Sequence, residues 1–113
     1  MPYIKEENRK KLDNCIEEMM KCLRYNVTVS EFSSILYKEK LNNEELLSIC
    51  GDINYTFSRI LAGIMGDVSY PKIAIITGVL ENIKQEYYRR VAEIFEDHKI
   101  LANGDIKEYK HIK

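Results

Sequence analysis

The side chains with which this chain could do chemistry are few and scattered. His98 and His111 stand thirteen residues apart, and neither has a cysteine or a second histidine at zinc-ligand spacing. No metal site and no cofactor are expected. Cys15, Cys22 and Cys50 fall in or beside apolar stripes. A thiol there, without a neighbouring base, behaves as a small hydrophobe rather than a nucleophile. Gly63-Ile-Met-Gly66 shares one spacing with a dinucleotide fingerprint, and no strand precedes it. Glu86, Glu93, Glu96 and Asp97 read as one exposed helix, where carboxylates are usually solvated or paired along the helix. No catalytic set emerges, and a protein without enzymatic activity is expected.

What stands out instead is a concentration of polar and aromatic groups. On a helical projection Lys84 and Tyr88 lie on one shoulder of an apolar seam, Arg90 on the other, and Arg89 points away. Asn54 and Tyr55, on the preceding helix, add an amide and a phenol that could face the same groove. A guanidinium forks onto phosphate or carboxylate and an aromatic ring stacks on a base, so these residues are a candidate recognition edge. The structural alternative is a solvated rim, with the arginine stems covering apolar surface.

The elements that must position these groups follow from apolar periodicity. Pro2 and Glu6-Glu7 suit a helix start. Leu12, Cys15, Ile16, Met19, Met20 and Leu23 then recur at three- and four-residue steps to about Tyr25. Ser30 with Glu31 predicts a cap and a short helix through Phe32, Ile35 and Leu36. Asn42-Asn43-Glu44-Glu45 is a second cap signal, opening a stripe from Leu46 to Ile64. Gly51-Asp52 interrupts that stripe, with Asp52 able to cap a fresh helix, so one bent helix and two helices both remain open. Gly66-Asp67 predicts a stop. Ser69-Tyr70-Pro71 restarts the chain into its strongest periodic signal: Ile73, Ile76, Leu80, Ile83, Tyr87, Val91 and Ile94. That helix is expected to run to about Ala102. Gly78, almost opposite the seam, either admits a close backbone or costs about 1 kcal/mol. Asn103-Gly104 predicts a C-cap, with a short hairpin as the alternative.

The expected fold is all-α, a small helical bundle with one long C-terminal amphipathic helix and at most a short hairpin. Residues 1–113 are expected as a single helical domain, with about 26–43 an insertion and about 105–113 a tail. A length of 113 residues suits one domain, and 45% hydrophobic residues exclude disorder. Residues 1–56 carry eight basic and ten acidic groups, and residues 57–113 carry nine and eight. That balance argues against duplex nucleic acid as a partner. No apolar run approaches the roughly 18 residues of a membrane span, and no leader-type segment opens the chain. Cys15 and Cys22 lie roughly 10 Å apart along a helix, beyond disulfide reach. Buried, reduced thiols and a cytoplasmic location are therefore expected.

Four stretches together resemble a family of short uncharacterised proteins found largely in phages and prophages. They are Met1-Pro-Tyr-Ile4, Gly51-Asp-Ile-Asn-Tyr-Thr-Phe-Ser-Arg-Ile60, Gly78-Val-Leu-Glu-Asn-Ile-Lys-Gln-Glu-Tyr-Tyr-Arg-Arg90 and Glu96-Asp-His-Lys-Ile-Leu-Ala-Asn-Gly-Asp105. The family pattern has Glu-Phe-Tyr-Arg-Arg where this chain has Glu86-Tyr-Tyr-Arg-Arg90. It commonly has Pro-Tyr-Glu-Asp where this chain has Ile94-Phe95-Glu96-Asp97, which puts a family kink in doubt here. Residues from about Val27 to Lys40 look like an insertion relative to shorter members. The resemblance implies a helical fold and a phage context. It marks Asn54, Tyr55, Tyr88, Arg89, Arg90, Glu96, Asp97 and Asn103 as motif positions, and brings no activity with it.

Three functions follow as expectations. The first is a ligand-binding protein, homo-oligomeric, that sequesters a small anionic molecule such as a nucleotide signal; by analogy with other small phage proteins this would counter host defence. The second is a protein–protein module that blocks a host or phage protein. The third is an enzyme acting on phosphate esters through Glu96 and Asp97. The near-heptad seam favours self-association, and ligand pockets commonly form between helices of a bundle.

Overall fold

The computed structural model describes residues 2–27 and 40–112. About 77% of them are helical and none is in a strand, so the fold is all-α. The helix expected to open at Ser30 lies outside the described residues. The chain falls into two compact units, Tyr3–Val68 and the part from Ser69 onward.

In the N-terminal unit, α1 runs Glu6–Tyr25 with Glu6 and Glu7 in its first turn, where the helix dipole favours acids. Lys5 offers no side-chain cap, and the Arg9 Nε donates to the Ile4 carbonyl at 2.7 Å. Helix α2, Asn43–Ser48, opens on a reciprocal capping box. The Glu45 N–H donates to Asn42 Oδ1 (2.8 Å) and the Asn42 N–H donates to Glu45 Oε1 (3.1 Å). That box holds a carboxylate in a buried position, and the only buried apolar side chains among the described residues are Val27 and Ile49.

The choice between one helix and two resolves as two. The break falls at Ile49 (φ −111°, ψ 8°) rather than at Gly51, and α3 runs Cys50–Met65. Asp52 does not cap it; Asp52 sits in the first turn and its carbonyl accepts the Thr56 hydroxyl at 2.7 Å. Gly66 ends α3 at φ +67°, a backbone that disfavours any side chain, as the Gly66-Asp67 signal predicts.

The C-terminal unit is dominated by one continuous helix of 34 residues from Tyr70 to Asn103. Ser69 caps it, accepting the Lys72 N–H at 3.3 Å, and Pro71 follows in the first turn. It is not uniformly α. Helix α4, Tyr70–Tyr87, passes into a π segment, Tyr88–Ala92, and then into α5, Glu93–Asn103. The Glu93 N–H donates to the Tyr88 carbonyl five residues back. One extra residue in a turn swings everything downstream by roughly 100°. The seam therefore continues from Tyr87 through Val91 to Phe95, and Ile94, which a uniform α-helix would keep on the seam, leaves it.

Gly104 closes the helix at φ +86°, donating its N–H to the Ile100 carbonyl at 2.8 Å. Asn103-Gly104 is thus a cap and not a hairpin turn. A Cβ at Gly78 would meet nothing within 4 Å among the described residues, so this glycine admits no close backbone from them. One expectation is corrected outright: Cys15, Cys22 and Cys50 are free but exposed, because the stripes they belong to are not covered.

Candidate functional site

Among the described residues each unit carries a concavity. In the C-terminal unit a trough of about 580 Å³ runs along the long helix, past Glu81, Lys84, Glu86, Tyr88, Arg89 and Glu93. Its cations are already engaged. The Arg89 Nε donates to Glu86 Oε1 at 2.9 Å, and the Lys84 Nζ stands 4.0 Å from Glu81 Oε1. Three carboxylates against two paired cations leave the trough with a net negative charge. A like charge at about 4 Å costs about 1 kcal/mol even in bulk water, so a phosphate is repelled here.

Arg90 is different. It makes no ion pair or hydrogen bond among the described residues. The π segment places it on the flank opposite Tyr88, because residues two apart on a helix face away from each other. Lys84, Tyr88 and Arg89 are therefore gathered, while Arg90 stands apart. Glu96 and Asp97 are successive positions on α5, about 100° apart, and do not converge as a catalytic carboxylate pair must. Asn103 is the last residue of α5, ahead of the glycine cap. Among the described residues no three histidine, cysteine or acidic side chains are placed so that together they could hold a metal ion.

The N-terminal unit holds the second concavity, a groove of about 290 Å³ between α1 and α3, lined by Met19, Tyr55, Thr56, Arg59 and Ile60. The spacing of Tyr55, Thr56, Arg59 and Ile60 puts all four on one face of α3, and Met19 comes from the apolar stripe of α1. The Arg59 guanidinium lies 5.8 Å from the centroid of the Tyr55 ring, within cation–π range. That ring is its one partner among the described residues, so all of its N–H donors are open. No carboxylate lines the groove. It offers one unneutralised fork, one exposed aromatic face and two apolar walls, a combination suited to a planar group carrying a negative charge. Its volume lies at the lower end of small-molecule sites, enough for one base or one phosphate-bearing fragment. Asn54 is not part of it: its Oδ1 accepts the Ser58 hydroxyl at 3.2 Å along the helix.

Of the sequence-derived site residues, Tyr55 alone lines this groove. Arg59 was absent from the candidates, although an aromatic and an arginine four apart on a helix is a readable signal.

A family model described as a domain of unknown function, DUF6899, matches residues 1–106. No curated protein and no solved structure matches the chain. Among the described residues no helix is long and apolar enough to cross a membrane.

Proposed function

The chain belongs to the DUF6899 family, and from the groove of its N-terminal unit we propose that it is a non-enzymatic binding protein for a small phosphate-bearing aromatic ligand, a nucleotide. The observation that carries this reading is Arg59: an unpaired guanidinium beside an aromatic ring, in a concavity with no acid. The base stacks on Tyr55 and the phosphate takes the guanidinium fork. Base–aromatic stacking contributes about 1–3 kcal/mol and a hydrogen bond to a charged group about 1.5–3 kcal/mol. The resemblance to short phage and prophage proteins supplies the setting. A phage-encoded protein that holds a nucleotide signal without consuming it counters host defence by sequestration, in the cytoplasm of the host cell.

The test is native mass spectrometry of freshly purified protein, followed by calorimetric titration with a panel of nucleotides. A nucleotide should travel with the protein and be recovered intact on denaturation. Arg59→Ala should weaken binding by about 10- to 100-fold, the range set by one charge-assisted bond. If no nucleotide binds in either measurement, the reading fails.

The second reading, a module that docks on a host or phage protein, is favoured by a specific observation. Leu12, Ile16 and Met20, four residues apart on one face of α1, are each 40–50% exposed, and contiguous exposed apolar side chains mark interaction surfaces. A stable protein partner recovered without any small molecule would put it first. Consumption of the nucleotide would instead establish an enzyme.

A further inference from the structure

The seam of the long helix needs a cover. No residue of α4, the π segment or α5 is buried. Leu80 is 46% exposed, Ile83 55%, Tyr87 67% and Val91 47%, although all four lie on one narrow apolar strip. We infer that this strip is a homodimer interface, covered by the same strip of a second copy running antiparallel, with the two-fold axis at the π segment.

Three arguments select that occupant. An apolar strip stepping by threes and fours is complementary to itself, and a two-fold axis places identical strips face to face. The area follows from the overlap: half-exposed aliphatic side chains hide about 100 Å² each and aromatic rings more. With the axis near Arg89 the strip faces itself from Ile83 to Phe95, and those four side chains bury roughly 400–500 Å² per copy, an interface at the small end of the biological range. Charge picks the orientation. With the axis near Arg89, Tyr87 meets the partner's Val91 and Ile83 meets the partner's Phe95. The same register brings Lys84 within side-chain reach of the partner's Glu96, and Arg90 within reach of the partner's Glu86. Arg90 and Glu96, which have no partner among the described residues of one chain, thereby both gain one. The π segment is what permits this register, because it turns Phe95 onto the strip in place of Ile94.

The inference does not depend on the ligand. Light scattering of nucleotide-free protein at micromolar concentration should give twice the chain mass, or an even multiple. Ile83→Asp should reduce that to the single-chain mass. Should Ile83→Asp lose its helical circular dichroism, charge reversal on the surface decides instead. Lys84→Glu should raise the dimer dissociation constant several-fold, and Lys84→Glu with Glu96→Lys should restore it. A single-chain mass for the parent protein overturns the inference. So does an assembly that the folded Ile83→Asp variant leaves intact, or a charge swap that fails to restore what Lys84→Glu weakens.

Discussion

Arg59, Arg89 and Arg90 show how little residue type alone decides. All three are exposed arginines near a tyrosine, yet Arg89 is tied to Glu86, Arg90 is unpaired, and Arg59 lies over an aromatic ring in an acid-free groove. Arg89 has its charge largely answered within one helix turn, in a trough lined by acids, whereas Arg59 offers a ligand an acid-free concavity. Tyr55 stands among the candidates that the sequence offers, but its groove was not legible there, because Met19 on the far wall is distant in the chain. Local chemistry reads more directly. Asn42 announces a cap, and the structure supplies both of its hydrogen bonds. Asn42→Ala removes one acceptor and leaves the Glu45 carboxylate bonded to an unrestrained backbone. It should destabilise the protein by about 1 kcal/mol, a melting temperature several degrees lower, measured by thermal unfolding. An unchanged melt would mean that α2 is held by packing alone.

At the scale of elements, signals confined to a few residues predict well and signals averaged over a helix do not. Gly66 and Gly104 end helices at positive φ, where the sequence places a glycine. The break at Ile49 carries no such mark, and Gly51, the obvious breaker, is accommodated within the first turn of α3. The π segment is the larger omission. The seam steps by four from Ile83 to Tyr87 and by four again to Val91, a slight underwinding that apolar periodicity tolerates without declaring. Its consequence can be tested by removing one residue. Deleting Arg89 should let the π turn relax to α, since a π turn differs from an α turn by one inserted residue. Every residue from Phe95 onward then keeps its phase relative to Ile83. The variant should retain its helical circular dichroism, melt within a few degrees of the parent and keep its assembly state. A variant that instead loses helicity or dissociates would show that the inserted residue does not set the phase of α5.

For the whole molecule, the sequence shows a hydrophobic content ample for a core, yet among the described residues only Val27 and Ile49 are buried apolar side chains. Ordering each residue costs about 1–2 kcal/mol of backbone entropy, and burial of apolar surface is the main term that offsets it. Composition reports how much apolar surface exists, not which surface covers it; this is why fold class was legible and the mode of stabilisation was not. The exposed stripes of α1 and of the long helix place much of the stabilising burial outside what one copy of either unit provides for itself. Stability drawn from association depends on concentration by mass action. Where the dimer is the main folded species, each tenfold rise in protein concentration adds about 1.4 kcal/mol per mole of dimer to apparent stability. At this chain length that corresponds to a melting temperature higher by several degrees per decade. Unfolding followed by circular dichroism at about 1 μM and at about 100 μM, concentrations chosen to span the range over which typical complexes form, should therefore separate by roughly ten degrees or more. Nucleotide added at saturation should raise both curves, because a ligand stabilises whatever folded state binds it. Curves that coincide without nucleotide would show a chain that stabilises itself. The apolar strip would then be free for a different protein, and docking on a host or phage partner would become the stronger account of what this surface is for.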